Sequence, residues 1–210
     1  MMYSTVTSSL FAPVIHASSS VAPGIGSEWP GWPGDNVFKL VVPIAKVGGI
    51  IGRRGEVVKR MCKETCAIIR VLEGPVSNAN QIVLISGREN PDAEVSPAMD
   101  AAIRILKCVA GLNSDDPGAV ATFVSSKLLV ASAQAIHLIG KNGSTISSIQ
   151  ERSGVVLRVL PVGFFKIHGE GTKVLNAFDV VVKLLRKFLV HHGMIPVFEK
   201  MAILILLTKF

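Results

Sequence analysis

Cysteine is scarce in this 210-residue chain: there are three, an odd number. That excludes a disulfide scaffold and points to reduced thiols and an intracellular home. Aromatic side chains are few, at 6% of residues. No uninterrupted apolar run reaches the roughly 18 residues of a spanning helix. The first 36 residues contain no Lys or Arg, so neither the basic opening of a secretory signal nor an Arg-rich transit peptide is present. Paired carboxylates, a nucleophile triad and a metal-ligand cluster are all missing from the pattern. Cys62 and Cys66 have no second pair at zinc-finger spacing, so they read as buried thiols. His137 and His168 stand alone and read as structural, and His191 and His192 read as a helix end. The sequence therefore predicts a non-catalytic protein with no metal, no cofactor and no small-molecule substrate, and no membrane partner.

What is present is a hydrophobic share of 49% with 18% charged residues, which excludes wholesale disorder. The net charge is +7, and a basic surface favours polyanionic partners. The charge falls in two blocks. Residues 37–111 hold eleven basic and seven acidic residues, and 121–192 hold nine and three. Asp115 and Asp116 lie between them. Residues 1–36, rich in Ser, Ala, Pro and Gly, read as a disordered leader. Residues 112–120 read as a linker, marked by the Gly, Asn, Asp and Pro of GLNSDDPGA (111–119), and 193–210 as an atypical apolar tail. The run at 202–207 is too short to span a membrane and reads as an exposed-edge or aggregation liability unless docked.

The two basic blocks repeat one another. VFKLVVP (37–43) and KLLVA (127–131) read as strands. Each leads into a short helix, a Gly-x-x-Gly turn, a second helix and a further strand, AIIRVL (67–72) or VVLRVL (155–160). Gly52 and Gly140 lie 88 residues apart, and Gly55 and Gly143 keep that offset. A third strand follows in each block, QIVLISG (81–87) and FFKIHG (164–169), and then an amphipathic helix. Met99, Ile103, Leu106 and Ala110 share one face of the first helix; Val174, Phe178, Val181, Leu185 and Phe188 share one face of the second. Ser96 suits the cap of the first and Pro97 its opening turn. Each unit is thus β-α-α-β-β-α, an α+β fold of about 70–75 residues, small but able to fold alone.

A Gly-x-x-Gly turn between helices needs unusual backbone angles, and glycine adopts them without strain. Here the turn also carries Arg53 and Arg54 in one copy, and Lys141 and Asn142 in the other. It opens a helix, whose first N–H groups favour an anion. A nucleotide-hydrolase loop is a poor match, because Asn142 occupies the place of the required Ser or Thr in GKNGST. HGEGTKV is a poor match to a dinucleotide fingerprint, because Val174 replaces its last glycine.

VGGIIGRRGEVVKRM and AIHLIGKNGSTISSIQERSG, with their flanking strands, resemble the type I KH family of RNA-binding domains. The resemblance covers 37–111 and 121–192. More narrowly, WPGDNVFKLVVPIAKVGGIIGRRGE and LIGKNGSTISSIQ are similar to the plant group of PEPPER and flowering-locus KH proteins, and in arrangement to poly(C)-binding proteins. The resemblance implies two tandem type I KH domains, each a three-stranded antiparallel sheet packed on three helices. Such domains clamp about four single-stranded nucleotides.

Carried over to unit 1, Gly52, Arg53, Arg54 and Gly55 meet phosphates. Val47, Gly48 and Gly49 form one groove wall. Val58, Ile69 and Val71 form an aliphatic base platform. The loop 73–80 forms the other wall, with Gln81 at a base edge. In unit 2, Gly140, Lys141, Asn142 and Gly143 form the clamp, and Ile146, Leu157 and Val159 the platform. Unit 2 departs from the pattern. Ile136 and His137 replace the glycines of the wall, and the variable loop shrinks to Pro161–Gly163. Cys62 and Gln150 stand where poly(C)-binding relatives often carry an Arg, which puts strict cytosine preference in doubt. Relatives with three domains continue into a third unit, so a truncated or alternatively spliced form is one expectation for this tail.

The implied partner is single-stranded RNA, mRNA or pre-mRNA, together with other RNA-processing proteins. The implied setting is the nucleus and the cytoplasm, in post-transcriptional regulation, mRNA processing and flowering. Two alternatives stand beside it. One is a KH-fold protein-interaction module using the helix at 170–191 or the tail. The other is binding of single-stranded DNA.

Overall fold

A computed structural model describes residues 33–73, 79–112 and 122–208. Most of the leader, nearly all of the linker and the middle of the loop at 73–80 lie outside the described residues. Unit 1 comprises β1 (Asp35–Pro43), α1 (Ile44–Ile51), α2 (Glu56–Thr65), β2 (Ile68–Leu72), β3 (Asn80–Arg88) and α3 (Pro97–Ala110). Unit 2 repeats the order with β4 (Phe123–Leu129), α4 (Ser132–Ile139), α5 (Ser144–Ser153), β5 (Val156–Leu160), β6 (Phe164–Glu170) and α6 (Gly171–Leu185). A further helix, α7 (Ile195–Thr208), follows. A single 3-10 turn separates the paired helices of each unit, at Arg53–Gly55 and Lys141–Gly143.

In each unit three antiparallel strands pack against three helices. The two sheets are not separate, however. They join into one six-stranded sheet of order β2-β3-β1-β4-β6-β5. β1 and β4 meet antiparallel through Leu40 opposite Leu128 and Val41 opposite Lys127. Leu40 and Leu128 are counterparts at the repeat offset of 88, so the seam is self-complementary about an approximate dyad. α3 and α6, also counterparts, pack together over that seam. One continuous apolar core, including Phe38, Ile50, Ile105, Leu138, Phe165 and Phe178, therefore runs through both units.

This packing corrects the helix faces read from periodicity. Ser96 does cap α3, its hydroxyl accepting from the Met99 N–H, with Pro97 in the first turn. But Ala101, Ala102 and Ile105 are fully buried, whereas Ile103 and Ala110 are only partly so. α3 is squeezed between its sheet and α6, so it needs small residues on a second side. The helix expected at 170–191 ends at Leu185. The chain turns there because Arg186 and Val190 engage unit 1. Arg186 is 9% exposed. Its guanidinium pairs with Glu89 at 2.8 Å and donates to the carbonyls of Asn90, Ala93 and Glu94 at 2.9, 2.6 and 3.0 Å. Its own carbonyl accepts from Asn36 Nδ2 at 2.9 Å, and Asn36 Oδ1 accepts from Ser96 Oγ at 2.7 Å. Val190 exchanges backbone hydrogen bonds with Asp35 at 2.8 and 2.9 Å. Ordered structure thus begins before Val37, with Asp35 and Asn36 both buried.

The apolar tail is docked as a helix. Ile195, Phe198, Ala202, Ile203 and Ile205 of α7 cover the sheet face opposite the other helices, against Val37, Val41, Leu72, Ile82 and Leu84. Arg70 pairs with Glu199 at 2.6 Å, and Lys39 Nζ sits 4.9 Å from the Phe198 ring centre. The other side of α7 leaves Val197, Met201, Leu204 and Leu207 exposed.

Candidate nucleic-acid interface

The two Gly-x-x-Gly turns have the same backbone. Gly52 has φ 73° and ψ 179°, and Gly140 has φ 73° and ψ 178°. Side chains cannot adopt that region comfortably. A Cβ at either glycine would also run into the second helix, at Val57 in unit 1 and its counterpart Thr145 in unit 2. The first glycine is therefore demanded by folding. Gly55 and Gly143, at φ 76° and 79°, are demanded by backbone angle alone. The residues before them, Arg54 and Asn142, are also left-handed, at φ 51° and 52°. Asn tolerates this conformation; for Arg it costs about 1–2 kcal/mol.

That strain presents cations. Arg53, Arg54, Lys141 and Asn142 are exposed, and none of the three cations is ion-paired with a described carboxylate. No side chain caps α2 at Gly55 or α5 at Gly143. The first N–H of each helix, at Glu56 and Ser144, turns back onto the Arg53 and Lys141 carbonyls, so what the two turns hold out to solvent is their cationic side chains.

Next to the turn in unit 1, Gly48 and Gly49 are exposed on α1. A Cβ on Gly48 would meet nothing within 4 Å, and on Gly49 only Cys108 Sγ at 3.6 Å. Packing does not require these glycines, which cost helix stability. Their effect is to leave the α1 backbone open to an approaching chain. Val47 is buried beneath them. In unit 2 the same wall carries Ile136, 70% exposed, and His137, edge-on to Phe188 at 5.5 Å. Burial, and then the Lys187 charge, lower the His137 imidazole from its usual range, so it is neutral at pH 7.

The expected platforms are only partly surface. Val58, Val71 and Ile146 are half-buried and Val159 is 38% exposed. Ile69 and Leu157, at 8% and 5%, belong to the core instead. Each is the second residue of its strand and packs into the main apolar core. Gln81 is half-buried on β3 opposite Val42, directly after the loop.

Sequence reasoning missed what Gln150 does. Its Oε1 accepts from the Leu157 N–H at 2.9 Å, tying α5 to the outer edge of β5. Cys62 stands at the counterpart position in unit 1 and carries no amide to do the same. The unit 1 edge is thus free of this cover. A Gln placed six residues before the start of an edge strand was the available signal. Among the described residues no group of three His, Cys, Asp or Glu could hold a metal, and no helix is long and apolar enough to cross a membrane.

The chain matches the family described as KH domain twice, over residues 37–95 and 125–183. It is 51% identical over 188 residues to the RNA-binding KH domain-containing protein PEPPER of Arabidopsis thaliana, which covers 82% of this chain. It is 27% identical over 157 residues to the KH domain-containing protein HEN4 of the same plant, covering 73% of this chain. The matched regions span 38% and 18% of the lengths of those relatives.

Proposed function

This chain belongs to the KH domain family, and we propose that it is a non-catalytic protein that binds single-stranded RNA through its two Gly-x-x-Gly clamps. The observation that carries the proposal is the pair of turns with matching torsions, which hold Arg53 and Arg54 in one unit and Lys141 in the other exposed and not ion-paired with any described carboxylate. Folding explains Gly52 and Gly140; it does not explain Gly48 or an Arg held left-handed at the tip. An incoming phosphodiester chain explains both. Likeness to a relative named as RNA-binding supports RNA as the polymer. The finer reading is that the targets are mRNA or pre-mRNA. It places this chain in post-transcriptional processing during plant development, flowering included, in the nucleus and also the cytoplasm, alongside other processing proteins. It rests on resemblance to plant KH proteins.

The test is Arg53→Asp combined with Arg54→Asp, assayed for retention of an unstructured RNA pool. Both residues are exposed, so circular dichroism should be unchanged while binding falls steeply. Wild-type affinity should also drop with rising salt, as phosphate contacts release counterions. A folded double variant that retains RNA as well as wild type overturns the proposal. Equal retention of a DNA pool by wild type would move the reading to single-stranded nucleic acid in general.

One observation favours a second role. Val197, Met201 and Leu204 form an exposed apolar stripe at helical spacing on α7, suited to a protein contact. That role predicts an association insensitive to nuclease and salt.

A further inference from the structure

Resting on the RNA-binding reading, we infer that the target is bipartite: two short unpaired tracts on one strand, joined by a spacer long enough to double back across the sheet. The inference follows from where the seam puts the clamps. Each candidate groove lies along the outer strand of its unit, β2 with Val71 or β5 with Val159. These are the two ends of the six-stranded sheet. Five strand spacings separate them, about 24 Å. Every neighbouring pair in the sheet is antiparallel, so β2 and β5 run in opposite directions. Two copies of one domain hold RNA with the same polarity relative to their own strands. The bound tracts therefore run in opposite directions, on opposite edges of the molecule. A continuous run of bases cannot fill both. The strand must leave one groove, cross one end of the sheet and re-enter from that same end.

RNA does not impose this arrangement; the fold does. The Leu40–Leu128 seam, the α3–α6 packing and the Arg186 network hold the units together through one buried core. The spacer requirement is accordingly a property of the protein, and its energetic signature is a length-dependent avidity.

The experiment uses the full chain and synthetic RNA. Tetramers of A, C and U are first titrated singly, matching the roughly four nucleotides a KH clamp holds. The best tetramer is then made in two copies, joined directly or through ethylene-glycol spacers of increasing length, which add no charge. Directly joined copies should bind little better than one. Affinity should rise by about tenfold or more once the spacer spans the sheet, then decline slowly. Lys141→Asp combined with Asn142→Asp should abolish that rise. At the shortest effective spacer, a 3′–3′ linked pair should gain less, since its inner ends would lie at opposite ends of the sheet. A gain already complete for directly joined copies overturns the inference, as does affinity independent of spacer length. If no tetramer, single or paired, binds at all, the RNA-binding reading itself fails and takes this inference with it.

Discussion

At the scale of single residues, the first Gly-x-x-Gly turn and its approach use glycine for two different physical reasons, and substitution separates them. At Gly52 the backbone is at φ 73° and a Cβ would collide with Val57. Gly52→Ala should destabilise the protein by at least about 2 kcal/mol, from backbone strain plus overpacking, visible as a lower urea midpoint. At Gly48 the space is open and the backbone helical. Gly48→Leu should leave the midpoint unchanged or raise it by up to about 1 kcal/mol. It should nevertheless weaken RNA binding by roughly tenfold, or ~1.4 kcal/mol, by adding bulk to the groove wall. Wild-type affinity in that variant would show that no ligand approaches α1. Unit 2 already carries such bulk in Ile136, so the same logic makes Ile136→Gly a gain-of-affinity variant for the second clamp.

At the scale of elements, the tail helix and the sheet it covers depend on side, not on composition. Ala202 is 1% exposed against the sheet, and Met201 next to it is 55% exposed. Ala202→Glu buries a charge without a partner and should cost several kcal/mol, on the order of 3, whereas Met201→Glu should stay within about 0.5. Parallel urea titrations decide between a docked helix and a loose one; equal effects would remove the docked face. How far the sequence reveals such elements has a physical limit. The repeat and its β-α-α-β-β-α order were legible because strand and helix periods are written in side chains. The docking of Ile195–Thr208 was not, because an apolar run such as AILILL suits a helix or a strand equally. The family resemblance likewise placed Ile69 and Leu157 in the base platforms. It could not tell core from shelf, because depth depends on which helix lies above. The Leu40–Leu128 seam was hidden for a related reason: edge pairing is made by backbone groups, and a strand such as VFKLVVP has the same pattern at an edge or in the middle of a sheet.

At the scale of the whole molecule, the seam joins the two repeat units through one sheet and one core. Glu89 is 1% exposed, and the Arg186 side chain reaches it from the other unit. Arg186→Ala leaves that carboxylate buried without its guanidinium partner and takes the guanidinium donor from the Ala93 and Glu94 carbonyls, while the Asn90 carbonyl keeps the Ala93 N–H. The cost should be about 3–5 kcal/mol. Its distribution is more telling than its size. If the units are thermodynamically independent, the loss is local, and hydrogen exchange should quicken near Glu89–Glu94 and α6 while β2 keeps its protection. If they share one core, as the clustering of Ile105, Phe178 and Leu128 implies, β2 and β5 should lose protection together. Urea unfolding should then remain a single transition with a lower midpoint. Two resolved transitions in the wild-type protein would break the shared core apart. They would also remove the fixed separation and opposed direction of the two grooves, because units that open independently can turn to follow a continuous strand.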